Sequence, residues 1–290
     1  MLHLEYLNTC SRDAFVSALG EVFEHAAWVA EEAFSFRPFP TVAALHDAMM
    51  AAVRKAPRSR QLEFVLGHPE LGSKVGRVSD LTEASKAEQG GLGLDRLSDD
   101  EFARFTQLNA AYRQRFGLPF VICVRRHTRD SILRNFERRS ANEPETEFQT
   151  ALDEIGLITR LRLVATVDGP GKPNTDGWLS THVLDTMGGK PAAGVRLALY
   201  EIGASARALI KQAVTNQDGR SDQPLMSGGP LRIGTYELQF FVGGYFARLA
   251  TADPPYLDIV PVRFSIAEPE GHYHVALLVT PWSYSTYRGS

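Results

Sequence analysis

The first group of side chains that could do chemistry lies in a polar segment of the N-terminal half. The segment "GHPELGSKVGRVSDLTEASKAEQGGL" spans residues 67–92, and long polar loops in compact domains are often functional. Its candidates are His68, Pro69, Ser85, Glu88 and Gln89. The last three stand at i, i+3 and i+4 and therefore share one face of a helix. An imidazole beside a hydroxyl, a carboxylate and an amide could handle protons on a polar, nitrogen-rich ligand.

A second group lies in three segments of the C-terminal half. They read "WLSTHVLDTMGGKPAAGVRLALY", "TNQDGRSD" and "HYHVALLVTPWSYSTYRGS". His272 and His274 share one face of a predicted strand, because side chains alternate along a strand. Histidines from separate strands, together with Arg220 from a turn, suggest a functional site, although spacing does not show that they converge. A zinc site with His182 is a fair alternative, since two histidines at i and i+2 plus a third are a metal-ligand pattern.

Both groups also have purely structural explanations. A histidine before a proline is typical of a loop, and a Ser-x-x-Glu-Gln face is typical of a solvated or capping segment. In the C-terminal half, the alternative is a polar sheet face with surface tyrosines. Residue types and spacing leave these alternatives open.

The elements that would position the first group are helices. Up to about residue 163, apolar residues recur every three or four positions, which predicts helices; one long run is "SRDAFVSALGEVFEHAAWVAEEAF", and two more helices surround Pro144. The predicted helix caps are Ser11, Thr41, Ser98 with Glu101, and Gly117. The short apolar stretch "FVICV", residues 120–124, carries a strand signal.

The second half of the chain has a different period. Residues 164–177 contain three glycines and two prolines in a polar setting, which is typical of a linker. After them, "VRLALY", "TYELQFFV", "VRFSI" and "HVALLV" alternate with period two, which predicts a β-sandwich or barrel. We therefore expect an all-α domain over 1–163, a linker over 164–177 and an all-β domain over 178–290.

Composition excludes several classes of function. The formal net charge of −3 gives no basic field for nucleic acid. The sequence has no apolar run long enough to span a bilayer and no signal-peptide pattern. Cys10 and Cys123 can form neither a disulfide framework nor a zinc motif. These features predict a protein of the reducing cytoplasm.

The N-terminal half resembles the decarboxylase of 2-oxo-4-hydroxy-4-carboxy-5-ureidoimidazoline (OHCU), which forms allantoin in urate breakdown. The resemblance covers nearly all of 1–163 and includes "FEHAAWVAEEA", "GHPELGSKV", "LTEASKAEQGGL", "LNAAYRQRFGLPFVICV" and "EIGLITRLRL". It implies an all-helical fold without a cofactor, with His68 as catalytic imidazole and Glu88 as its acidic partner. The substrate contacts that it implies are Pro69, Ser85, Gln89, Phe120, Ile122 and Arg162. Gly67 departs from the usual alanine.

The C-terminal half resembles 5-hydroxyisourate hydrolase, the enzymatic relative of transthyretin. "LSTHVLDTMGGKPAAGV" and "HYHVALLVTPWSYSTYRGS" carry the resemblance, and Ala276 departs from the usual proline. It implies a metal-free catalytic set, without His272, and a tetramer through this domain, with further dimer contacts through the helical one. The implied catalytic residues are His182, Arg220, His274 and Ser290, and the implied pocket residues are Tyr287, Arg288 and Gly289.

The two resemblances describe consecutive reactions. The C-terminal domain would convert 5-hydroxyisourate to OHCU, and the N-terminal domain would decarboxylate OHCU to (S)-allantoin. Two alternatives compete with this prediction. One domain could be a binding or oligomerisation module, or the protein could be a zinc-dependent amidohydrolase that uses His182, His272 and His274.

Overall fold

The computed structural model consists of two compact units. It describes residues 1–72, 82–94, 97–204, 206–247 and 253–289. The first unit comprises 1–125 and 132–174, and the second comprises 126–131 and 175–290. Among the described helices, none is long and apolar enough to cross a membrane.

The first unit is helical, as predicted, with a short strand at each end. Its strands are β1 (Leu2–His3) and β2 (Val167–Asp168), which pair in parallel. Its helices are α1 (Leu4–Thr9), α2 (Arg12–Leu19), α3 (Ala27–Ala33), α4 (Val42–Lys55), α5 (Arg58–Leu66), α6 (Glu83–Gly91), α7 (Asp99–Phe116), α8 (Arg129–Arg139) and α9 (Pro144–Thr166). Short 3-10 turns cover Phe34–Phe36 and Val124–Arg126.

The predicted helix caps form as expected. The side chains of Ser11 and Thr41 each accept a hydrogen bond from the main-chain N–H three residues further on. Ser98 and Glu101 form a reciprocal capping box, which satisfies two donors that a helix start leaves open. Gly117 ends α7 with φ of 70°, a left-handed conformation that glycine adopts at little cost.

The long helical run predicted after Ser11 is wrong in its middle. Helix α2 ends at Leu19 and α3 begins only at Ala27. Phe23, between them, is fully buried although it is not helical. The apolar spacing therefore continued through a turn and concealed the break. His25 marks that turn with φ of 50°.

Most of the predicted linker belongs to regular or packed structure. Helix α9 continues to Thr166, and β2 follows it directly. The carbonyls of Pro170 and Gly171 then accept hydrogen bonds from the start of α4. The first unit accordingly extends to Asn174. Gly171 permits close packing here, since a Cβ on it would lie 2.6 Å from the Thr41 side chain.

The second unit is a sandwich of two four-stranded sheets, as predicted. Its strands are β3 (Trp178–Asp185), β4 (Lys190–Pro191), β5 (Arg196–Ile202), β6 (Arg207–Val214), β7 (Gly234–Phe241), β8 (Ile259–Ile266), β9 (His272–Val279) and β10 (Tyr284–Gly289), and α10 (Val242–Phe246) follows β7. The sheet orders are β10-β9-β3-β4 and β6-β5-β7-β8. Strands β3 and β9 are parallel neighbours, and this pairing positions the C-terminal candidate site.

Candidate active sites

His68 lies just beyond the end of α5, with only 7% of its surface exposed. Its Nδ1 atom is 2.9 Å from the carbonyl oxygen of Phe64. A carbonyl can only accept, so Nδ1 carries the hydrogen and the neutral ring keeps a lone pair on Nε2. Burial lowers the pKa of His68 to about 4, because desolvation disfavours the charged form. At neutral pH, His68 is therefore a proton acceptor.

Every residue predicted for the N-terminal site lines one cavity with His68. These residues are Pro69, Ser85, Glu88, Gln89, Phe120, Ile122 and Arg162. Helix α6 supplies Ser85, Glu88 and Gln89 from one face, as their spacing predicted. Thr82 caps this helix by accepting a hydrogen bond from the Ser85 N–H.

Arg162, from α9, holds the polar side of this cavity together. Its Nε and Nη2 atoms donate to the two oxygens of Glu88 at 3.1 and 2.8 Å. Its Nη2 atom also donates to Ser85 Oγ at 3.1 Å. Arg160 points elsewhere and donates to the Asn174 carbonyl. The structure thus brings Arg162, and not Arg160, to the cavity.

Glu24 is a buried member of this network that the sequence interpretation missed. Its carboxylate accepts hydrogen bonds from Thr82, Ser85 and Arg162 at 2.8, 3.0 and 2.7 Å. Burial alone would raise the pKa of Glu24, but the bonds from Arg162 and Thr82 outweigh it and lower that pKa. The residue lies in the quoted motif "FEHAAWVAEEA", which was the available signal.

The expected partnership between His68 and Glu88 has a different geometry. Glu88 forms its ion pair with Arg162. The carboxylate whose charge most raises the His68 pKa is Glu24. Because Glu88 is paired with Arg162, it acts on the cavity by fixing the position of the Arg162 guanidinium, which in turn donates to Ser85.

The wall formed by residues 120–122 is not the strand that its apolar sequence predicted. Residues 119–123 belong to no strand or helix. Instead, Arg139 donates to the Val121 carbonyl at 2.8 Å, and the Cys123 N–H donates to Glu154 at 2.8 Å. Side chains therefore satisfy this main chain. Arg139 itself is fully buried and paired with Glu147 at 2.6 Å.

The C-terminal candidates meet on the outer face of the sheet that contains β3 and β9. Ser180 on β3 lies directly beside His274 on β9, and His182 follows two residues later on the same face. The Oγ of Ser180 is 2.8 Å from Nδ1 of His274. The sequence interpretation missed Ser180, although it lies in the quoted motif "LSTHVLDTMGGKPAAGV".

His182 presents a bare ring nitrogen. Its Nε2 atom is buried and has no hydrogen-bond partner among the described residues. A hydrogen bond to the Asp218 main chain acts on the same ring, so that bond uses Nδ1 and leaves the lone pair on Nε2. Burial first, and then the Arg220 charge, lower the pKa of His182. The ring is therefore poised to accept a proton.

Arg220 reaches the histidines through a β-bridge with His182. Its charge, after burial, lowers the pKa of His274 as well. The side chain is exposed and forms no ion pair with any residue in the described part of the chain. A guanidinium in this position is available to a negatively charged ligand.

The last described residues divide between the two faces of the sheet. Gly289 pairs with His274, and Tyr287 pairs with Ala276, so both accompany the histidine face. Arg288 lies on the opposite face, with its guanidinium 4.7 Å from the Tyr273 ring centre. The structure does not bring Arg288 to the histidines. Ser290 lies outside the described residues.

His272 completes the histidine face. Its Nε2 is 3.0 Å from Ser180 Oγ, and its ring stacks on Trp178 at 4.7 Å. Within the described ranges, no group of three or more His, Cys, Asp or Glu residues is arranged to hold a metal ion.

Comparison with known proteins assigns each half of the chain to a family. Residues 8–164 match the model of the OHCU decarboxylase family, and residues 179–289 match that of the HIUase/Transthyretin family. The chain belongs to both families. Over 162 residues it is 45% identical to the 2-oxo-4-hydroxy-4-carboxy-5-ureidoimidazoline decarboxylase of Haloferax volcanii, with 56% of this chain and 94% of that protein covered. Over 113 residues it is 58% identical to the 5-hydroxyisourate hydrolase of Deinococcus radiodurans, with 39% and 95% covered.

A solved structure matches the whole length of this two-family protein. The crystal structure of (S)-allantoin synthase covers 100% of both chains at 36% identity, with a TM-score of 0.51. The predicted resemblances and the predicted fold class are confirmed. The protein is a bifunctional enzyme of urate degradation with OHCU decarboxylase and 5-hydroxyisourate hydrolase activities.

Proposed function

We propose that the two activities are consecutive and that each uses a neutral imidazole as its proton acceptor. The C-terminal domain hydrolyses 5-hydroxyisourate to OHCU, and the N-terminal domain decarboxylates OHCU to (S)-allantoin. The observation that carries the proposal is the shared state of His68 and His182. Each is bonded through Nδ1 to a main-chain group and keeps a lone pair on Nε2.

Decarboxylation draws on an electron sink in the substrate itself. When the carbon–carboxylate bond breaks, CO2 leaves and the electron pair moves toward the neighbouring ring C=N, whose nitrogen takes a proton from solvent. His68 Nε2 accepts the proton of the adjacent hydroxyl as it becomes a carbonyl, and returns it to the ring carbon. Delivery from one fixed ring to one face of that carbon gives a single enantiomer.

The other cavity residues hold OHCU for this step. Ser85, Gln89 and the main chain of 120–122 offer donors and acceptors to its amide groups. Arg162 and Glu88 keep the polar wall in place, because the guanidinium donates to Glu24, Glu88 and Ser85 at once. The apolar wall excludes water from the carboxylate that must leave.

Hydrolysis uses the bare nitrogen of His182. As a water oxygen bonds to the ring carbonyl carbon, Nε2 of His182 accepts one water proton and later returns it to the leaving nitrogen when the C–N bond breaks. Arg220 stabilises the oxyanion with its planar donors. His274 lies on the same face as His182, and on the family resemblance we assign it a hydrolytic role, in which the two rings orient and activate the water together. Tyr287 and Gly289 form the adjoining wall, and we assign Ser290 to this wall on the family resemblance.

The test uses freshly generated 5-hydroxyisourate, with both intermediates followed by ultraviolet absorbance and circular dichroism. His68→Ala should convert it to OHCU and stop, and His274→Ala should stall at 5-hydroxyisourate. His46→Gln, which changes a half-buried imidazole outside both sites, is the matched control and should form optically active allantoin. If both site variants also formed it at the wild-type rate, the site assignments would be wrong.

We also infer a homo-oligomer formed through the transthyretin-like domain, and a cytoplasmic location. The family of the C-terminal domain supports the first inference. Cys10 and Cys123, which both remain thiols, support the second. Light scattering coupled to size-exclusion chromatography measures the assembly directly; a monomer at micromolar concentration would contradict it.

A further inference from the structure

A serine hydroxyl bridges two imidazoles beside the hydrolytic site. Ser180 Oγ lies 2.8 Å from Nδ1 of His274 and 3.0 Å from Nε2 of His272. A hydroxyl has one proton, so it can donate to one ring and accept from the other. The three groups therefore form a continuous, directional chain of hydrogen bonds.

The strand register builds this chain. In the parallel pair β3 and β9, Ser180 stands opposite His274, and Trp178 stands opposite His272. Trp178 stacks on the His272 ring and is 41% exposed. His272 is half-buried, so the far end of the chain reaches solvent, while the near end is the His274 ring of the hydrolytic site.

The reaction needs an exit for a proton. Hydrolysis of a ring amide adds water, and one water proton ends on the leaving nitrogen. The other belongs to a new carboxylic acid, which ionises at neutral pH because carboxyl pKa values lie near 4. Each turnover therefore releases one proton, and His182 is already occupied with the proton destined for nitrogen.

We propose that Ser180 and His272 relay this second proton from His274 to solvent. Nε2 of His274 accepts the remaining proton of the former water molecule, and Nδ1–H of His274 passes its proton to Ser180 Oγ. The Ser180 O–H passes its own proton to Nε2 of His272, which releases it to water. With the final release to water, four O–H or N–H bonds break and four form, and no redox partner is needed.

The electrostatics of the face agree with this direction. Burial lowers the pKa of His274 most, and the charges of Arg220, His272 and His182 lower it further. All four therefore disfavour a positive charge on this ring. A proton that arrives there is therefore driven outward. Ser180 and His272 act through His274, so both are positioning residues of the hydrolase, and the proposal rests on the hydrolytic role assigned to His274.

The test compares hydroxyisourate hydrolysis by five proteins at neutral pH: wild type, Ser180→Ala, Ser180→Thr, His272→Ala and the double alanine variant. General acid–base groups contribute about 10²- to 10⁴-fold, and we expect loss of the relay to lower kcat by roughly 10-fold or more with KM unchanged. Ser180→Thr keeps a hydroxyl and should keep the rate. The double variant should be no slower than the slower single one, because both break one chain.

Chemical rescue separates a relay from simple support of the His274 ring. Added imidazole should raise kcat of His272→Ala, because a free base can take the proton from Ser180. Three results would overturn the relay. His272→Ala could keep the wild-type kcat, the double variant could lose kcat by the product of the two single losses, or the variants could change KM alone. His274→Ala distinguishes the two proposals: if it is inactive while His272→Ala is fully active, the hydrolase assignment stands and the relay fails. Decarboxylation of OHCU by the same preparations reports intact protein.

Discussion

Two neutral histidines, the buried His68 and the half-buried His46, should make the helical unit sensitive to acid. Burial lowers the pKa of His68 and of His46 to about 4, from a usual value of 6.5. As the pH falls below 6.5, these histidines become protonated in the unfolded chain but stay neutral in the folded unit. The unfolded state then binds more protons, so the free energy of unfolding decreases until the pH passes below the folded pKa values.

The pKa values set the size of this effect. Each pKa unit corresponds to about 1.4 kcal/mol, so each histidine should remove about 3 kcal/mol of stability between pH 7 and pH 4. Together they remove about 6 kcal/mol, which is comparable to the total stability of many domains. Above pH 6.5 neither histidine contributes to the pH dependence.

The assay is urea unfolding at a series of pH values, followed by far-ultraviolet circular dichroism of the helices. His68→Asn keeps a donor for the Phe64 carbonyl but cannot titrate, and His46→Gln can replace the contact with Thr159 at 3.0 Å. Each variant should lose about 3 kcal/mol less than wild type between pH 7 and pH 4. The two variants differ in activity, since only His68→Asn should abolish decarboxylation.

One outcome would refute this reasoning for His68. If wild type and His68→Asn lost the same stability over this pH range, the ring would already be charged, or exposed, in the folded protein. The pH dependence of decarboxylation gives an independent check. Its kcat/KM should stay level as the pH falls from 7 to about 5 and decrease only near the His68 pKa of about 4.

Two further predictions concern buried and closely packed groups. Arg139→Met should destabilise the helical unit by about 3–5 kcal/mol in urea unfolding, because it leaves Glu147 charged and buried; adding Glu147→Leu should recover much of the loss, and no recovery would contradict this. Gly289→Ala should reduce hydroxyisourate hydrolysis by roughly 10-fold or more while decarboxylation continues, since its Cβ would lie 2.6 Å from the His274 ring. Gly244→Ala, where a Cβ meets nothing within 4 Å, is the matched control; equal hydrolysis by the two variants would contradict the prediction.

Local signals predicted the parts of the fold that depend on near neighbours. The capping residues Ser11, Thr41 and Ser98 act within three positions of themselves, so their sequence context was sufficient. The break after Leu19 could not be predicted in this way, because Phe23 stays in the core without being helical. Apolar spacing reports which side chains are buried, and only indirectly how the backbone runs.

The candidate sites depended on the family resemblance and on contacts between distant residues. His68, Ser85 and Glu88 were identified because they stand in motifs, whereas Glu24 reaches Ser85 from 61 positions away. The prediction that Arg288 lies beside the histidines could have been revised from the sequence alone. Neighbouring residues of a strand point to opposite faces, so Tyr287 and Arg288 cannot both face the histidines.

The pairing of β1 with β2 determines where such a protein can be divided into modules. Residues 167–168 bond to residues 2–3, and Gly169 packs so tightly on Leu4 that a Cβ would approach it to 2.8 Å. A gene divided where the decarboxylase match ends, at residue 164, would leave β1 without its partner. A crossover after Asn174 would instead leave the decarboxylase its own closing strand. Recombination between enzymes of this kind is therefore expected to succeed about ten residues beyond the boundary that sequence similarity marks.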